Sequence, residues 1–406
     1  MRIAKKRATP SPCVYFQVHQ PYRLIEYDFF CIGDHPGYEN DWLNAEMFTK
    51  VAEKCYLPAT RLLRGLVEES GGRFRFALSM TGTVLEQMEE FGPAVLEAFR
   101  GLAATGAVEI LGETYHHSLA SLYSPAEFRR QVELHREKIR SLFGVEPRVL
   151  RNTELIYCNA LAEEAERLGY SGVLAESVPW LLRGRSPNYL VRAPNVTTIK
   201  TFLRNTGLSD DLAFRFSDRS WKEYPVTPRK FLGWLRRFGG DLVNLFMDFE
   251  SIGEHQWRDT GIFRFWERFV PLALRQGVRF VTPSEAVEQF EAVHEYDCHA
   301  PTSWADQERD LSAWLGNVMQ QEAARKLHAI ESAVLATEDA GLLRAWSRLQ
   351  CSDHLYYMST KGGTDGMVHR YFSPFRSPYH AYIYFMNTLA DLQIRLDRGR
   401  TSPVAA

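Results

Sequence analysis

Residues 242–255 read LVNLFMDFESIGEH, a near-continuous apolar run that ends in a cluster of carboxylates and a histidine. Runs without polar alternation are typical of strands in a parallel sheet that is covered on both faces. The stretch therefore predicts a buried parallel strand over Leu242–Met247. It also predicts that Asp248 and Glu250 lie just beyond the carboxyl end of that strand.

Other short apolar segments of the same kind alternate with longer stretches of helical period. The predicted strands are Cys13–Val18, Arg73–Ser79, Val108–Leu111, Arg148–Asn152, Gly172–Ala175, Thr197–Leu203, Leu242–Met247 and Val278–Val281. An intervening helix is predicted over Ser124–Phe143, with Ser124 as N-cap, Pro125 in the first turn and Glu127 as the acidic partner of a capping box. This alternation predicts βα units around a parallel sheet. Seven or eight repeats over this length favour a closed or nearly closed barrel.

The pattern changes near residue 290. Residues 306–349 are almost continuously helical in period and propensity, and a last helix is predicted from about residue 377 to residue 396. The 406 residues of the chain also exceed the roughly 250–300 at which a single core stops growing. We therefore predict a helical subdomain that packs against the barrel.

The charge balance argues against a nucleic-acid partner. The 48 lysines and arginines against 50 acidic residues give a formal net charge of -2, whereas phosphate binding demands a basic surplus. No run of about 18 apolar residues occurs, so no membrane span is predicted. The six cysteines are scattered without a CxxC pair, which indicates reduced thiols. Because no apolar signal region follows the basic segment Met1–Arg7, we predict a cytoplasmic location; the oligomeric state stays open.

Four predicted strands deliver a histidine or a carboxylate to one rim. The strand ends are His19-Gln20-Pro21, the segment GETYHHS at 112–118, Asn152-Thr153-Glu154 and the segment DFESIGEH at 248–255. In a barrel, the loops at the carboxyl ends of the strands form the active site. One such residue would mean little, but four strand ends with the same property predict a functional site at this rim.

Glu154 and Asp248 end two different predicted strands, which fits the cleavage of a glycosidic bond. That reaction uses one carboxylate to attack or stabilise an oxocarbenium-like centre and a second carboxyl group to protonate the leaving oxygen. Each acid taken alone fits a helix cap or an ion pair about as well.

The histidines at the rim offer a metal site as an alternative. His19, His116, His117 and His255 could bind an ion together with Asp248 or Glu250. Zinc hydrolases usually carry a compact signature such as HExxH, and the sequence contains none. We therefore predict no metal. Neighbouring side chains of an extended segment point in opposite directions, so we expect only one histidine of the adjacent pair in the site.

Two later segments also combine aromatic and polar residues. Residues 303–317 read SWADQERDLSAWLGN, where Asp306 fits a helix cap and Trp304 a core residue. Residues 351–358 read CSDHLYYM, which fits either a cleft wall or an interface.

Taken together, five segments resemble glycoside hydrolase family 57, in particular its α-amylase-like branch. They are His19-Gln20-Pro21, GETYHHSL at 112–119, RNTE at 151–154, MDFESIGEHQ at 247–256 and residues 303–317. They occur in the order of the family and extend over nearly the whole chain. Two departures concern sugar contacts: the fourth segment reads DFESIG where DYETFG is expected, and His116 stands where a tyrosine is usual.

The resemblance implies an α/β fold, an incomplete TIM-like (β/α)7 barrel over residues 1–295, followed by a C-terminal α-helical domain over residues 296–406 that completes the substrate cleft. It implies a retaining mechanism without a metal or other cofactor, with Glu154 as nucleophile and Asp248 as general acid/base. It further implies that the substrate is bound by His19, Glu113, His117, Trp221, Glu250, Trp304 and Asp306, of which Trp221 lies in a segment whose length varies within the family.

The predicted function is that of a retaining hydrolase that cleaves α-1,4-glucosidic bonds of α-glucans through a covalent glycosyl-enzyme. The two carboxyl groups should then lie about 5–5.5 Å apart, and the pKa of Asp248 should be raised. Alternatives are a 4-α-glucanotransferase or branching enzyme with the same machinery, a catalytically weak glycan-binding protein, and a metal-dependent deacetylase on a similar barrel.

Overall fold

Seven parallel strands form the centre of the computed structural model, which describes residues 9–33 and 37–401. The strands are β1 (Ser11–Val18), β2 (Phe76–Met80), β3 (Val108–Ile110), β4 (Val149–Leu150), β5 (Gly172–Ala175), β6 (Lys200–Leu203) and β7 (Leu242–Asp248). Each lies within two or three residues of a predicted strand. The basic segment Met1–Arg7 lies outside the described residues.

The strands form a closed ring. Two sheets, with the orders β3-β2-β1-β7 and β4-β5-β6, are joined by single parallel bridges between Gly112 and Leu150 and between Arg204 and Asn244. β1 pairs with β7 over seven residues, from Ser11 opposite Leu242 to Gln17 opposite Asp248. The ring therefore has seven strands in chain order, which confirms the barrel prediction.

The prediction of an eighth strand over Val278–Val281 is wrong. Its apolar residues are buried, but the segment has no strand partner, since β1 is already paired with β2 on one side and β7 on the other. Val281 N donates to Pro12 O (3.2 Å) at the start of β1, and Val278 N donates back to Ala273 O (3.0 Å) at the end of the preceding helix. Its apolar side chains serve the core instead, where Phe280 packs edge-on against Phe74.

Both faces of the strands are buried, which explains their unbroken apolar sequence. In β1, Cys13 and Tyr15 face the interior of the ring, where Tyr15 packs against Phe246. The alternate residues of the same strand face the surrounding helices, as Phe16 does against Trp266. This alternation is the period-two geometry of a strand, with apolar residues required on each side.

Helices surround the ring of strands. Before residue 295 they are α1 (Asp41–Val51), α2 (Leu57–Glu69), α3 (Gly82–Phe91), α4 (Pro93–Ala103), α5 (Ala120–Tyr123), α6 (Pro125–Phe143), α7 (Asn159–Arg167), α8 (Pro179–Leu182), α9 (Thr206–Ala213), α10 (Pro228–Arg237), α11 (Ile262–Arg275) and α12 (Pro283–Gln289). Ser124 caps α6 as predicted, accepting from Glu127 N. The capping box is wrong, because Ser124 N donates to Ala120 O and the Glu127 carboxylate pairs with Arg130.

After residue 295 the chain is helical. These helices are α13 (Ser312–Leu315), α14 (Val318–Ala329), α15 (Glu331–Leu335), α16 (Ala340–Leu349), α17 (Ser352–Tyr356), α18 (Gly363–Phe372) and α19 (Pro378–Thr401). All of these helices except α18 contribute to a core around Trp314 and Trp346. Antiparallel bridges from Tyr157 to Thr302 and from Ser118 to Cys351 join this region to the carboxyl-end loops of the ring. Within the described residues, no helix combines the length and apolar character that a membrane crossing requires.

Candidate active site

Glu154 lies in a short 3-10 turn directly after β4 and is held on both carboxylate oxygens. Its backbone adopts a left-handed conformation (φ 57°, ψ 26°), which is unusual for a residue with a side chain. His117 Nε2 lies 2.8 Å from Oε1, and Trp304 Nε1 donates to Oε2 over 2.7 Å. Backbone strain that persists at one residue is a recurrent property of functional sites.

Hydrogen bonds and charges keep Glu154 ionised. Burial would raise the pKa of this carboxyl, but the hydrogen bond and positive charge of His117, with Arg151, lower it overall. Burial in turn opposes the charging of His117, yet its contacts with Glu113 and Glu154 raise the pKa of the imidazole to about 9. At neutral pH the pair is thus an imidazolium beside a carboxylate.

Glu113 holds His117 from the opposite side. The carboxylate is fully buried, accepts from Ser79 Oγ (2.6 Å), and lies 3.9 Å from His117 Nδ1. Burial favours its neutral form, but His117 and Arg151 outweigh burial and lower the pKa of Glu113. The arrangement fixes the orientation of the imidazole toward Glu154.

His19 stacks on His117, with ring centroids 3.9 Å apart. Its Nδ1 lies 2.9 Å from Thr81 Oγ1 and its Nε2 lies 2.9 Å from Asp353 Oδ2. Burial, with the positive charge of His117, lowers the pKa of His19. Asp353 shows that the segment 351–358 forms part of the cleft wall, one of the two possibilities left open by the sequence.

Asp248, at the end of β7, differs from Glu154 in its electrostatics. Burial raises the pKa of this carboxyl; the positive charge of His255 opposes that increase, and the negative charge of Glu154 adds to it. The two acids that the sequence singles out therefore have pKa values shifted in opposite directions. Such divergence separates an acid from a base or nucleophile within one site.

Glu250 is buried beside Asp248, and its carboxyl group has the more strongly raised pKa. Burial and the charge of Asp248 raise the pKa of Glu250 to about 8. Tyr56, from the turn before α2, donates its hydroxyl proton to Glu250 Oε1 over 2.6 Å. The hydrogen bond from Tyr56 therefore fixes the orientation of the Glu250 carboxyl group.

Arg151 is a site residue whose role the sequence does not indicate, although it lies in the RNTE segment. The side chain is fully buried. None of its guanidinium nitrogens donates a hydrogen bond to an acceptor in the described residues, and the nearest carboxylate oxygen, of Glu113, is 3.9 Å away. The guanidinium lies 5.2 Å from the centre of the Trp304 ring. A buried cation with free donors, close to two carboxyl groups, is suited to binding hydroxyl groups.

Trp304 belongs to a loop that is tied to the ring of strands by arginines. Arg309 donates to Trp304 O and lies 3.8 Å from Glu176, while Arg204 donates to Glu176 Oε2 over 3.1 Å. The Arg204 guanidinium also lies 5.6 Å from the Trp304 ring centre. The indole is thus a positioned donor to Glu154 rather than the isolated core residue that the segment alone favours.

Asp306 is no helix cap, because it lies in a turn with φ 52° before α13. Its carboxylate pairs with Lys361 Nζ (2.6 Å) and His369 Nε2 (3.2 Å), both from the last hundred residues. Burial opposes ionisation, but these two partners lower the pKa of Asp306. Asp306 therefore connects the Trp304 loop to α18.

Two predicted candidates differ in position from the rest. Trp221 packs against Trp234, with ring centroids 6.0 Å apart, and under Arg215, so its described contacts are with the α9–α10 region. Of the adjacent histidines, His117 faces Glu154. His116 packs beside Tyr115, and burial lowers its pKa to about 3. The pair thus points in two directions, as predicted.

Among the described residues, two groups of side chains have ligand atoms close enough to bind a metal ion: His19 with His117 and Asp353, and Asp306 with Glu308 and Asp365. In the first group both nitrogens of His19 already have protein partners, and His117 carries a proton. In the second group the Lys361 ammonium already lies between Asp306 and Glu308. The donor chemistry of both groups therefore fits internal ion pairs better than a metal.

A family model described as Glycosyl hydrolase family 57 matches residues 13–299. Among curated proteins, the chain is 41% identical over 397 residues to a protein of Methanocaldococcus jannaschii named "Putative alpha-amylase". That match covers 93% of this chain and 83% of the relative.

Three solved structures have similar folds. A branching enzyme of Pyrococcus horikoshii has a TM-score of 0.71 at 17% identity, over 98% of this chain and 93% of its own. An α-amylase of Thermotoga maritima has a TM-score of 0.62 at 15% identity, over 97% and 95%. A 4-α-glucanotransferase of Thermococcus litoralis has a TM-score of 0.69 at 15% identity, over 95% of this chain but only 60% of the transferase. At these identities the likeness concerns the fold.

Proposed function

The chain belongs to glycosyl hydrolase family 57, and from that membership we propose that it hydrolyses α-1,4-glucosidic bonds of α-glucans with retention of configuration. One observation carries the assignment of roles. His117 and Trp304 hold the pKa of Glu154 below its usual range, while burial raises the pKa of Asp248 at the end of another strand. Because the two pKa values are shifted in opposite directions, we propose Glu154 as nucleophile and Asp248 as general acid/base.

In the first step, Glu154 attacks the anomeric carbon and the bond from that carbon to the leaving oxygen breaks. The proton of Asp248 passes to the leaving oxygen, so a shorter glucan departs with a free hydroxyl group. The product is a glycosyl ester on Glu154. The raised pKa of Asp248 supports this step, because the acid must still hold its proton near neutral pH.

In the second step, ionised Asp248 accepts a proton from water as the water oxygen attacks the anomeric carbon. The ester bond breaks, and Glu154 leaves as a carboxylate. The lowered pKa of Glu154 supports its role as leaving group, since His117 and Trp304 stabilise the anion that forms. Two inversions at one carbon give net retention.

The remaining predicted residues are proposed to bind the glucan. His19, Glu113, His117, Glu250 and Trp304 surround the two acids or orient their partners. Asp306 acts through its pairs with Lys361 and His369, and Trp221 contributes only if a substrate chain extends to α9 and α10. Arg151 is added to this set because its buried donors lie free beside the carboxyl groups.

We further propose that residues 1–295 form the catalytic domain and residues 296–406 a helical domain that completes the cleft. The contacts of Trp304 with Glu154 and of Asp353 with His19 support a shared cleft. A cytoplasmic location is proposed because all six cysteines are free thiols.

The proposal is tested with amylose, glycogen and maltooligosaccharides, with Glu154→Gln as the matched control. Hydrolysis gives only products shorter than the substrate, whereas a transferase or branching enzyme also gives longer or branched products. We expect shorter products from the wild type, and binding without turnover from the variant. Binding without turnover by the wild type itself would instead establish a glycan-binding protein.

A further inference from the structure

Helix α18 contacts both loops that supply the candidate acids and their partners. On one side, His369 Nε2 lies 3.2 Å from Asp306 Oδ2, two residues after Trp304. On the other side, the ring of Phe372 lies 6.1 Å from the ring of His255, which follows Asp248 by seven residues. The helix therefore bridges the two loops.

The outer surface beside this bridge is rich in exposed aromatic side chains. The group defined here as the aromatic rim consists of Phe214 (60% exposed), Trp257 (57%), Tyr371 (70%) and Phe372 (45%). Isolated exposed aromatic residues are common on protein surfaces. Several in one area are not, and such patches usually mark a binding surface.

Three consecutive residues of the loop after β7, His255, Gln256 and Trp257, connect the members of the rim. His255 contacts Phe372, whose ring lies 5.1 Å from that of Tyr371. Gln256 is buried and donates to the backbone oxygen of Phe214 over 3.3 Å. Trp257 is itself the third residue. Three segments distant in sequence thus meet at one short stretch of the Asp248 loop, and each carries an exposed aromatic side chain.

We propose that the aromatic rim binds the leaving-group portion of an α-glucan, that is, the glucose units on the side of the cleaved bond that Asp248 protonates. The proposal rests on the proposed function, since it requires Asp248 to be the acid. The leaving oxygen must then lie next to Asp248, and the chain attached to it extends past His255 toward Phe372. Glucose rings present flat C–H faces that stack on exposed aromatic rings, as the amphipathic character of Trp and Tyr permits.

The ammonium group that lies over the rim already has a protein partner, because Lys54 Nζ, 5.2 Å from the centre of the Trp257 ring, pairs with Glu254 (3.7 Å). His255 lies between Asp248 and Phe372, and burial lowers the pKa of its imidazole. The inner side of α18 is occupied by the pair of His369 with Asp306, which leaves the aromatic side free for contacts. A neutral polymer with alternating apolar faces and hydroxyl groups suits such a surface.

The test compares two substrates that differ only in whether sugars follow the cleaved bond. Maltoheptaose has them, whereas α-maltosyl fluoride loses fluoride and leaves the rim empty. For Tyr371→Ala and Phe372→Ala we expect kcat/KM for maltoheptaose to fall about tenfold, which corresponds to ~1.4 kcal/mol, with kcat/KM for the fluoride unchanged. The control is Phe30→Ala, a more exposed aromatic residue (86%) outside the rim, for which both values should match the wild type.

Unchanged kcat/KM for maltoheptaose in both rim variants, or an equal loss with both substrates, would overturn the proposal. If the wild type is a dimer and Tyr371→Ala is a monomer with unchanged kcat/KM, the rim is an interface with a second copy, and the proposal is also overturned. If the wild type turns over neither substrate, the proposed function fails. Calorimetric titration with maltoheptaose then tests separately whether the rim binds a glucan. Maltoheptaose binding about tenfold weaker in Tyr371→Ala supports the rim, and equal or absent binding contradicts it.

Discussion

His117 Nε2 lies 2.8 Å from Glu154 Oε1, and the same ring is stacked on His19 and backed by Glu113. An imidazole between two carboxylates retains its proton up to about pH 9. Below that pH, its positive charge stabilises the ionised form of Glu154 over the uncharged form. The ionisation of the proposed nucleophile therefore depends on a neighbouring histidine.

Replacement of His117 by glutamine should move the acidic limb of the pH profile. The variant lacks the cation that lowers the pKa of Glu154, so that pKa rises and activity is lost at a higher pH as the medium is acidified. A hydrogen bond to a charged group contributes about 1.5–3 kcal/mol, so kcat/KM near neutral pH should fall roughly 10- to 100-fold. The measurement is kcat/KM on maltoheptaose from pH 4 to pH 9.

The adjacent histidine provides the control. His116 is neutral at these pH values and packs beside Tyr115, away from Glu154. The acidic limb of His116→Gln should coincide with that of the wild type. An equal shift in both variants would show that the effect does not arise from the contact of His117 with Glu154.

Replacement of Trp304 by phenylalanine should separate hydrogen bonding from ring contact. Phenylalanine keeps an aromatic ring beside Arg151 but lacks the Nε1 proton that Glu154 Oε2 accepts. We expect kcat to fall about tenfold or more, in proportion to a hydrogen bond of ~1.5–3 kcal/mol to a charged acceptor. If kcat is unchanged, with or without a rise in KM, the Trp304 hydrogen bond does not stabilise the Glu154 carboxylate during the reaction.

Two buried arginines should respond differently to replacement by methionine. Arg204 bonds to Phe246 O, Glu176 and Asp210, so Arg204→Met strands buried carboxylates and should lower the free energy of unfolding by about 3–5 kcal/mol. Arg151 has no hydrogen-bonded partner among the described residues, so Arg151→Met should cost much less stability while lowering kcat/KM at least about tenfold. The free energy of unfolding is measured with a denaturant, and kcat/KM is measured on maltoheptaose. Equal destabilisation by the two substitutions would contradict the account of Arg151.

The role of Asp248 is tested through rescue of Asp248→Asn. The asparagine variant cannot protonate a sugar leaving group, so turnover of maltoheptaose should be largely lost. With α-maltosyl fluoride the first step needs no proton, and azide then replaces the water that Asp248 would activate. We expect azide to restore turnover and to give an α-maltosyl azide. A β-azide, or no response to azide, would exclude Asp248 as the acid/base.

The ring of strands could be predicted from sequence because its signal is local. Each strand is an apolar run closed by polar residues, and burial on both faces makes the run unbroken. The same rule wrongly predicted a strand at Val278–Val281. This short apolar segment packs against the ring of strands near the start of β1, but both neighbours of β1 are already strands. Burial predicts apolar sequence, but it does not identify the hydrogen-bond partner.

The site could be predicted only as far as strand ends determine it. His19, His117, Glu154 and Asp248 all follow strands, and the structure brings His19, His117 and Glu154 into contact. Asp353 reaches His19 from a helix 334 residues later, which no local pattern specifies. In the same way, the pairs of Asp306 with α18 depend on how the helices pack.

The central claim is that Glu154 forms the covalent bond to the sugar, and trapping that bond tests it most directly. A 5-fluoro-α-glucosyl fluoride reacts through its good leaving group, while the ring fluorine slows the second step so that the ester accumulates. Mass spectrometry of the digested enzyme should show one fluoroglucosyl group on the peptide that contains Glu154, and none in Glu154→Gln. A label on Asp248, Glu113 or Glu250, or an enzyme that cleaves maltoheptaose with inversion and takes up no label, would contradict the account.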